Sequence, residues 1–73
     1  MASLPRVVVS PPSPSGGRRV RADGTILGLA YSLTDLVEFL RRAGLDMEPE
    51  EAAESALIEW RGGDATVWGP PPP

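Results

Sequence analysis

The 73-residue sequence predicts a small single domain of the α+β class, ordered as a β-hairpin, an amphipathic helix, a short helix and a C-terminal β-hairpin. Three local patterns carry that prediction: alternating residues on either side of Asp23-Gly24, an amphipathic stripe with start and stop signals over 33 to 43, and a second alternating pair around Gly62-Gly63. Runs of strands separated by helical segments of this kind give α+β architectures rather than parallel sheets.

The first hairpin spans residues 18 to 31, Arg-Arg-Val-Arg-Ala, then Asp-Gly, then Thr-Ile-Leu-Gly-Leu-Ala-Tyr. Asp-Gly tolerates the positive φ angles of a two-residue type I′ turn. In the simplest register Val20 faces Leu27 and Ala22 faces Thr25. Val20, Leu27, Leu29 and Tyr31 then share one face, and Arg19, Arg21 and Ile26 the other. Gly28, in mid-strand, marks a bulge or a close backbone approach.

Ser32 and Asp35 have capping-box spacing, and Tyr31 precedes the cap as a staple for Leu36. Leu33, Leu36, Val37 and Leu40 keep the helical stripe, with Phe39 and Ala43 beside it, while Thr34, Asp35, Glu38, Arg41 and Arg42 face water. Glu38 and Arg42 form a favourable surface pair. Gly44 ends the helix, and Leu45 folds back onto Leu40. Pro49 then starts a second short helix, whose first-turn acids suit the positive end of the helix dipole. Pairing across Gly62-Gly63 sets Ile58 opposite Val67, Trp60 opposite Ala65 and Arg61 opposite Asp64.

Composition divides the chain into a Pro/Ser/Gly-rich arm at 1–17, the α+β domain at 18–68 and a polyproline tail at 69–73. Both ends are expected to be flexible, because proline runs fit neither helices nor sheet interiors. Val7 to Val9 are expected at most as an edge strand. A chain this short buries only about 60% of its unfolded surface, so its margin of stability is thin. The wealth of Ala, Gly, Arg and Pro, with no Lys or Asn, reads as coding from a GC-rich bacterial genome. The longest aliphatic run near the start, Val7-Val8-Val9, is far below a secretory or membrane segment, and the expected location is cytoplasmic.

Residue types exclude much chemistry. Without Cys there is no thiolate or disulfide, without His no imidazole ligand or proton shuttle, and without Lys no Schiff-base amine. The serines have no histidine to activate them. The carboxylates at Asp46, Glu48, Glu50 and Glu51 lack EF-hand spacing, and a chain of this size has little room for a glycosidase cleft. Gly16-Gly17 and Gly62-Gly63 match no phosphate-binding fingerprint. A precursor cleaved after Gly63 would release a segment with no Cys, so thioether cross-links are excluded. The expectation is a protein that is not an enzyme and has no cofactor or metal.

Charge is uneven. Residues 1 to 42 hold six arginines against Asp23, Asp35 and Glu38, a balance of +3, and residues 43 to 73 hold Arg61 against seven carboxylates, a balance of −6. Arg18, Arg19, Arg21, Arg41 and Arg42 suggest a phosphate patch, but the net charge of −3 and the lack of interleaved aromatics speak against nucleic acid as a partner. Trp60 and Trp68 are two of four aromatic residues, and the proposed pairing points them to opposite faces. Trp60 suits the core, and Trp68 either a lid against the tail or an exposed anchor.

The reading is a small protein-interaction module with a protein partner or a homodimer, and with no nucleic acid and no membrane. Its contact residues are Trp68, Trp60, Glu50, Glu51 and Glu54 on one surface and Arg19, Arg21, Arg41 and Arg42 on another. The alternative is an antitoxin-like or regulatory acidic partner that covers a basic site on one client.

Overall fold

A computed structural model describes residues 6–69. The elements in chain order are β1 (Val7–Val9), β2 (Arg18–Ala22), β3 (Thr25–Ala30), α1 (Leu33–Arg42), α2 (Pro49–Glu54) and β4 (Ile58–Trp60). The strands form one α+β sheet in the order β3-β2-β1-β4, antiparallel except for the parallel pair β1 and β4. Both helices pack on one face. Val7, Val9, Val20, Ala30 and Ile58 meet Leu36, Val37, Leu40, Leu45 and Ala52 there in a single core.

The local signals hold where they are self-contained. Asp23 and Gly24 take φ of 51° and 85°, as a type I′ turn requires. Ser32 is extended and its hydroxyl accepts from the Asp35 N–H at 3.3 Å, while the Asp35 carboxylate accepts from the Tyr31 N–H at 3.0 Å. The exit is a Schellman turn, with Leu45 N–H donating to Leu40 C=O at 2.8 Å and Gly44 at φ 91°. Pro49 opens α2, and the Glu51 carboxylate accepts from the Glu48 N–H.

The hairpin register differs from the simple one. Arg21 pairs with Ile26, but Val20 pairs with Gly28, so a bulge takes up Leu27. One extra residue inverts the facing of everything after it. Leu29 and Tyr31, expected inside, lie exposed on the outer side, and Gly28 and Ala30 turn inward. Tyr31 is 59% exposed and does not serve as a staple on Leu36. Gly28 is required at this point. A Cβ there would meet Phe39 Cζ at 2.7 Å, and the backbone holds φ 153°.

Two further expectations are corrected, one from composition and one from the alternating pattern around Gly62-Gly63. Val7 to Val9 form an interior strand between β2 and β4, with Val7 and Val9 fully buried, so the folded body extends into the expected 1–17 arm. Three β-branched residues suit a strand flanked on both sides. The second hairpin is absent: β4 pairs with β1, and residues 61–69 form turns. Arg61 N–H donates to Val9 C=O at 3.0 Å, which spends on β1 the ladder that Gly62-Gly63 was expected to turn back on itself. The connection from β1 to β2 is tied down too, since Gly17 N–H donates to Trp68 C=O at 2.8 Å. Residues 1–5 and the prolines at 70–73 lie outside the described residues.

Candidate functional site

Strand β2 alternates Arg18, Val20 and Ala22 inward against Arg19 and Arg21 outward. This places three arginines in two unlike environments. Arg18 is fully buried, the only charged side chain so placed among the described residues. Its Nε donates to Ser10 C=O at 2.8 Å, Nη1 to the carbonyls of Asp64 at 2.9 Å and Val67 at 2.8 Å, and Nη2 to those of Arg61 at 2.7 Å and Gly63 at 3.0 Å. A guanidinium has five N–H groups. All five are used, and every acceptor is a backbone carbonyl.

Two indoles close this cage. The Arg18 Cζ lies 5.3 Å from the Trp60 ring centroid and 5.8 Å from that of Trp68, within cation–π range. The rings meet edge to face at 5.7 Å and 83°. The expectation that they point to opposite faces is thereby corrected, because residues 61–69 curl over Arg18 instead of running back as a strand. The Trp68 indole N–H donates to Ala65 C=O at 2.7 Å, whereas that of Trp60 is buried without a protein acceptor.

Burial pushes the Arg18 pKa down and the nearby Asp64 carboxylate opposes that shift. The cation persists, since arginine keeps its proton in proteins. Asp64 itself is held low, first by the Thr66 hydroxyl and backbone N–H donating to its carboxylate and further by the charge of Arg18. With no donor left over, Arg18 cannot bind an external anion. Its chemistry is to gather the carbonyls of a segment that has no ladder of its own.

Among the described residues, the opposite face of the sheet has no helix on it. Cross-strand register lines up Glu59, Val8, Arg21 and Ile26 in one row and sets Arg19 beside Leu29. Glu59 is bonded to both Arg6 and Arg61, and these hydrogen bonds hold its pKa low. Arg19 and Arg21 are exposed and pair with no carboxylate among the described residues, and Ile26 is 55% exposed beside them.

The remaining expected contact residues are scattered. Arg41 and Arg42 both reach Glu38 on the solvent side of α1, at 3.7 and 3.6 Å, so they do not share a surface with Arg19 and Arg21. Glu50, Glu51 and Glu54 are exposed on α2, with Glu51 engaged in capping. Trp60 and Trp68 are half-buried on the cage. Sequence reasoning missed the role of Arg18 by grouping it with its exposed neighbours. The signal was present in the strand period, which puts residue 18 on the side of Val20 and Ala22.

Among the described residues no helix is long and apolar enough to cross a membrane, and no three metal-ligating side chains converge. No family model, curated protein or solved structure matches the chain.

Proposed function

We propose that the chain is a non-enzymatic protein-interaction module that binds an acidic partner surface through the helix-free face of its sheet. One observation carries this reading. Arg19 and Arg21 project from that face and pair with no carboxylate among the described residues, next to the exposed side chains of Leu29 and Ile26, while the other five arginines are occupied within the fold. Guanidinium groups grip carboxylates in bidentate fashion, and flanking apolar side chains exclude water from the contact. Two such groups on alternate positions of one strand lie about 7 Å apart, a spacing set by the pleat. They form a ready grip for two carboxylates on a partner strand or loop.

The antitoxin-like alternative draws on α2, where Glu50 and Glu54 are exposed and meet no arginine among the described residues. In that version the acidic helix covers a basic client site.

The test captures partners from native cells with the tagged full chain and then measures the purified pair at low and high salt. The double variant R19E/R21E is expected to weaken binding by at least about a hundredfold, since each charge-assisted contact accounts for a tenfold factor or more. Binding should fall as salt rises. A partner held equally well by R19E/R21E overturns the reading. Loss on E50Q/E54Q, with R19E/R21E unaffected, transfers the function to the acidic helix.

A further inference from the structure

The two edges of the sheet are built differently. The β4 edge is three residues long and carries Glu59 locked between Arg6 and Arg61. Short length and charge are the ordinary ways of closing a sheet edge to other strands. The β3 edge is the longest strand, Thr25-Ile26-Leu27-Gly28-Leu29-Ala30, with neither a charge nor a proline. Its backbone pairs with β2 alone. No other backbone partner is found for residues 25 to 30 among the described residues.

We infer that β3 pairs antiparallel with β3 of a second copy, giving a two-fold dimer with one continuous eight-stranded sheet. The sequence of the strand selects its own copy as occupant. Ile26 and Leu29 both face outward, because the bulge at Leu27 breaks the simple alternation. An antiparallel two-fold centred between residues 27 and 28 sets Ile26 of each copy opposite Leu29 of the other. The two exposed apolar side chains of one edge therefore cover their counterparts twice, the self-complementarity that an isologous interface demands. Leu27 then meets Gly28, which has no side chain to obstruct the approach. Thr25 meets Ala30. Electrostatics do not oppose the pairing: Arg21 of one copy and Arg19 of the other stand three strand spacings apart, about 14 Å, beyond a Debye length at physiological salt.

The dimer leaves Arg19 and Arg21 on the open face, and it draws on the same Ile26 and Leu29 side chains that flank them, so R19E/R21E tests the acidic partner and the β3 variants test the dimer. A chain of this size also gains most from it, since its own core leaves a large share of apolar surface in water.

Sedimentation equilibrium and native mass spectrometry over about 1 µM to 1 mM test the inference, a range in which single-edge pairing should register. The unmodified chain is expected to dimerise. I26K and L29E are each expected to raise the dimer Kd about tenfold or more, because each removes two cross-strand apolar pairs. The double variant I26K/L29E should recover most of that loss, since the register brings the new ammonium of one copy against the new carboxylate of the other. Both positions are exposed in the single chain, and the near-ultraviolet circular dichroism of the tryptophan pair should remain unchanged. An unmodified chain that stays monomeric throughout overturns the inference. So do single variants that dimerise like the parent, or a double variant no tighter than either single one.

Discussion

Arg18 and Arg19 are adjacent on one strand and chemically identical, yet one is wholly buried and the other stands in water. Burying a guanidinium costs several kcal/mol unless its donors are satisfied. Arg18 meets that condition with five carbonyls and two ring faces. In return the 61–69 segment, which has no strand partner, finds acceptors' partners for Arg61, Gly63, Asp64 and Val67. The side chains of Arg19 and Arg21 form no hydrogen bond or ion pair among the described residues. Position on the pleat, and not residue type, separates the buried arginine from the exposed ones.

The largest expected effect belongs to Arg18→Ala. It leaves five carbonyls without their donor and two indoles without the group between them, so a loss of about 3–5 kcal/mol is expected. Total stability at this length is roughly 4–11 kcal/mol, so the variant should lose a large share of it and unfold at a much lower urea midpoint. Arg18→Lys keeps the charge but has three donors for five acceptors, and should recover only part of the loss. A midpoint for Arg18→Ala within error of the parent would mean that the cage is incidental to the fold.

The elements legible in the sequence are those whose causes lie within a few residues. The Asp23-Gly24 turn, the Ser32 cap and the Gly44 exit each depend on side chains and φ preferences inside one turn. What sequence reasoning missed is non-local. Nothing in Val7-Val8-Val9 names Ile58-Glu59-Trp60 as a parallel neighbour, about 50 residues away in the chain, and no local rule distinguishes a central strand from an edge one. Once β1 claims β4, the Gly62-Gly63 hairpin has no strand left to turn. The candidate site shows the same division. The facing of Arg18, Arg19 and Arg21 was legible from the period of two, whereas the carbonyl cage exists only through long-range closure. The outward turn of Leu29 depends on a single bulge, at a glycine whose sequence position signalled it.

That glycine supplies the next test. Gly28→Ala adds a methyl group 2.7 Å from the Phe39 ring at a backbone angle L residues seldom adopt, and a loss of about 1–3 kcal/mol is expected. Gly24→Ala provides the control. Its φ of 85° is also left-handed, but nothing lies within 4 Å of the added atom, so only the conformational cost of about 1 kcal/mol remains. Equal losses at the two sites would show that Phe39 moves aside, and that the bulge does not depend on contact with α1.

The smallest expected effect on stability belongs to the exposed arginines. R19E/R21E places charge-reversed side chains on a solvated face, where the originals form no ion pair among the described residues. Its stability should stay within about 0.5 kcal/mol of the parent, with the urea midpoint and the tryptophan circular dichroism unchanged. Two neighbouring sites on one strand would then differ by several kcal/mol in folding, while the exposed pair is expected to govern binding of the acidic partner. A marked loss of stability in R19E/R21E would place these arginines in the support of the sheet, through the packing of their methylene stems over Val8, Ile26 and Leu29. Their role on the open face would then be to cover apolar surface, and the distinction from Arg18 would be one of degree.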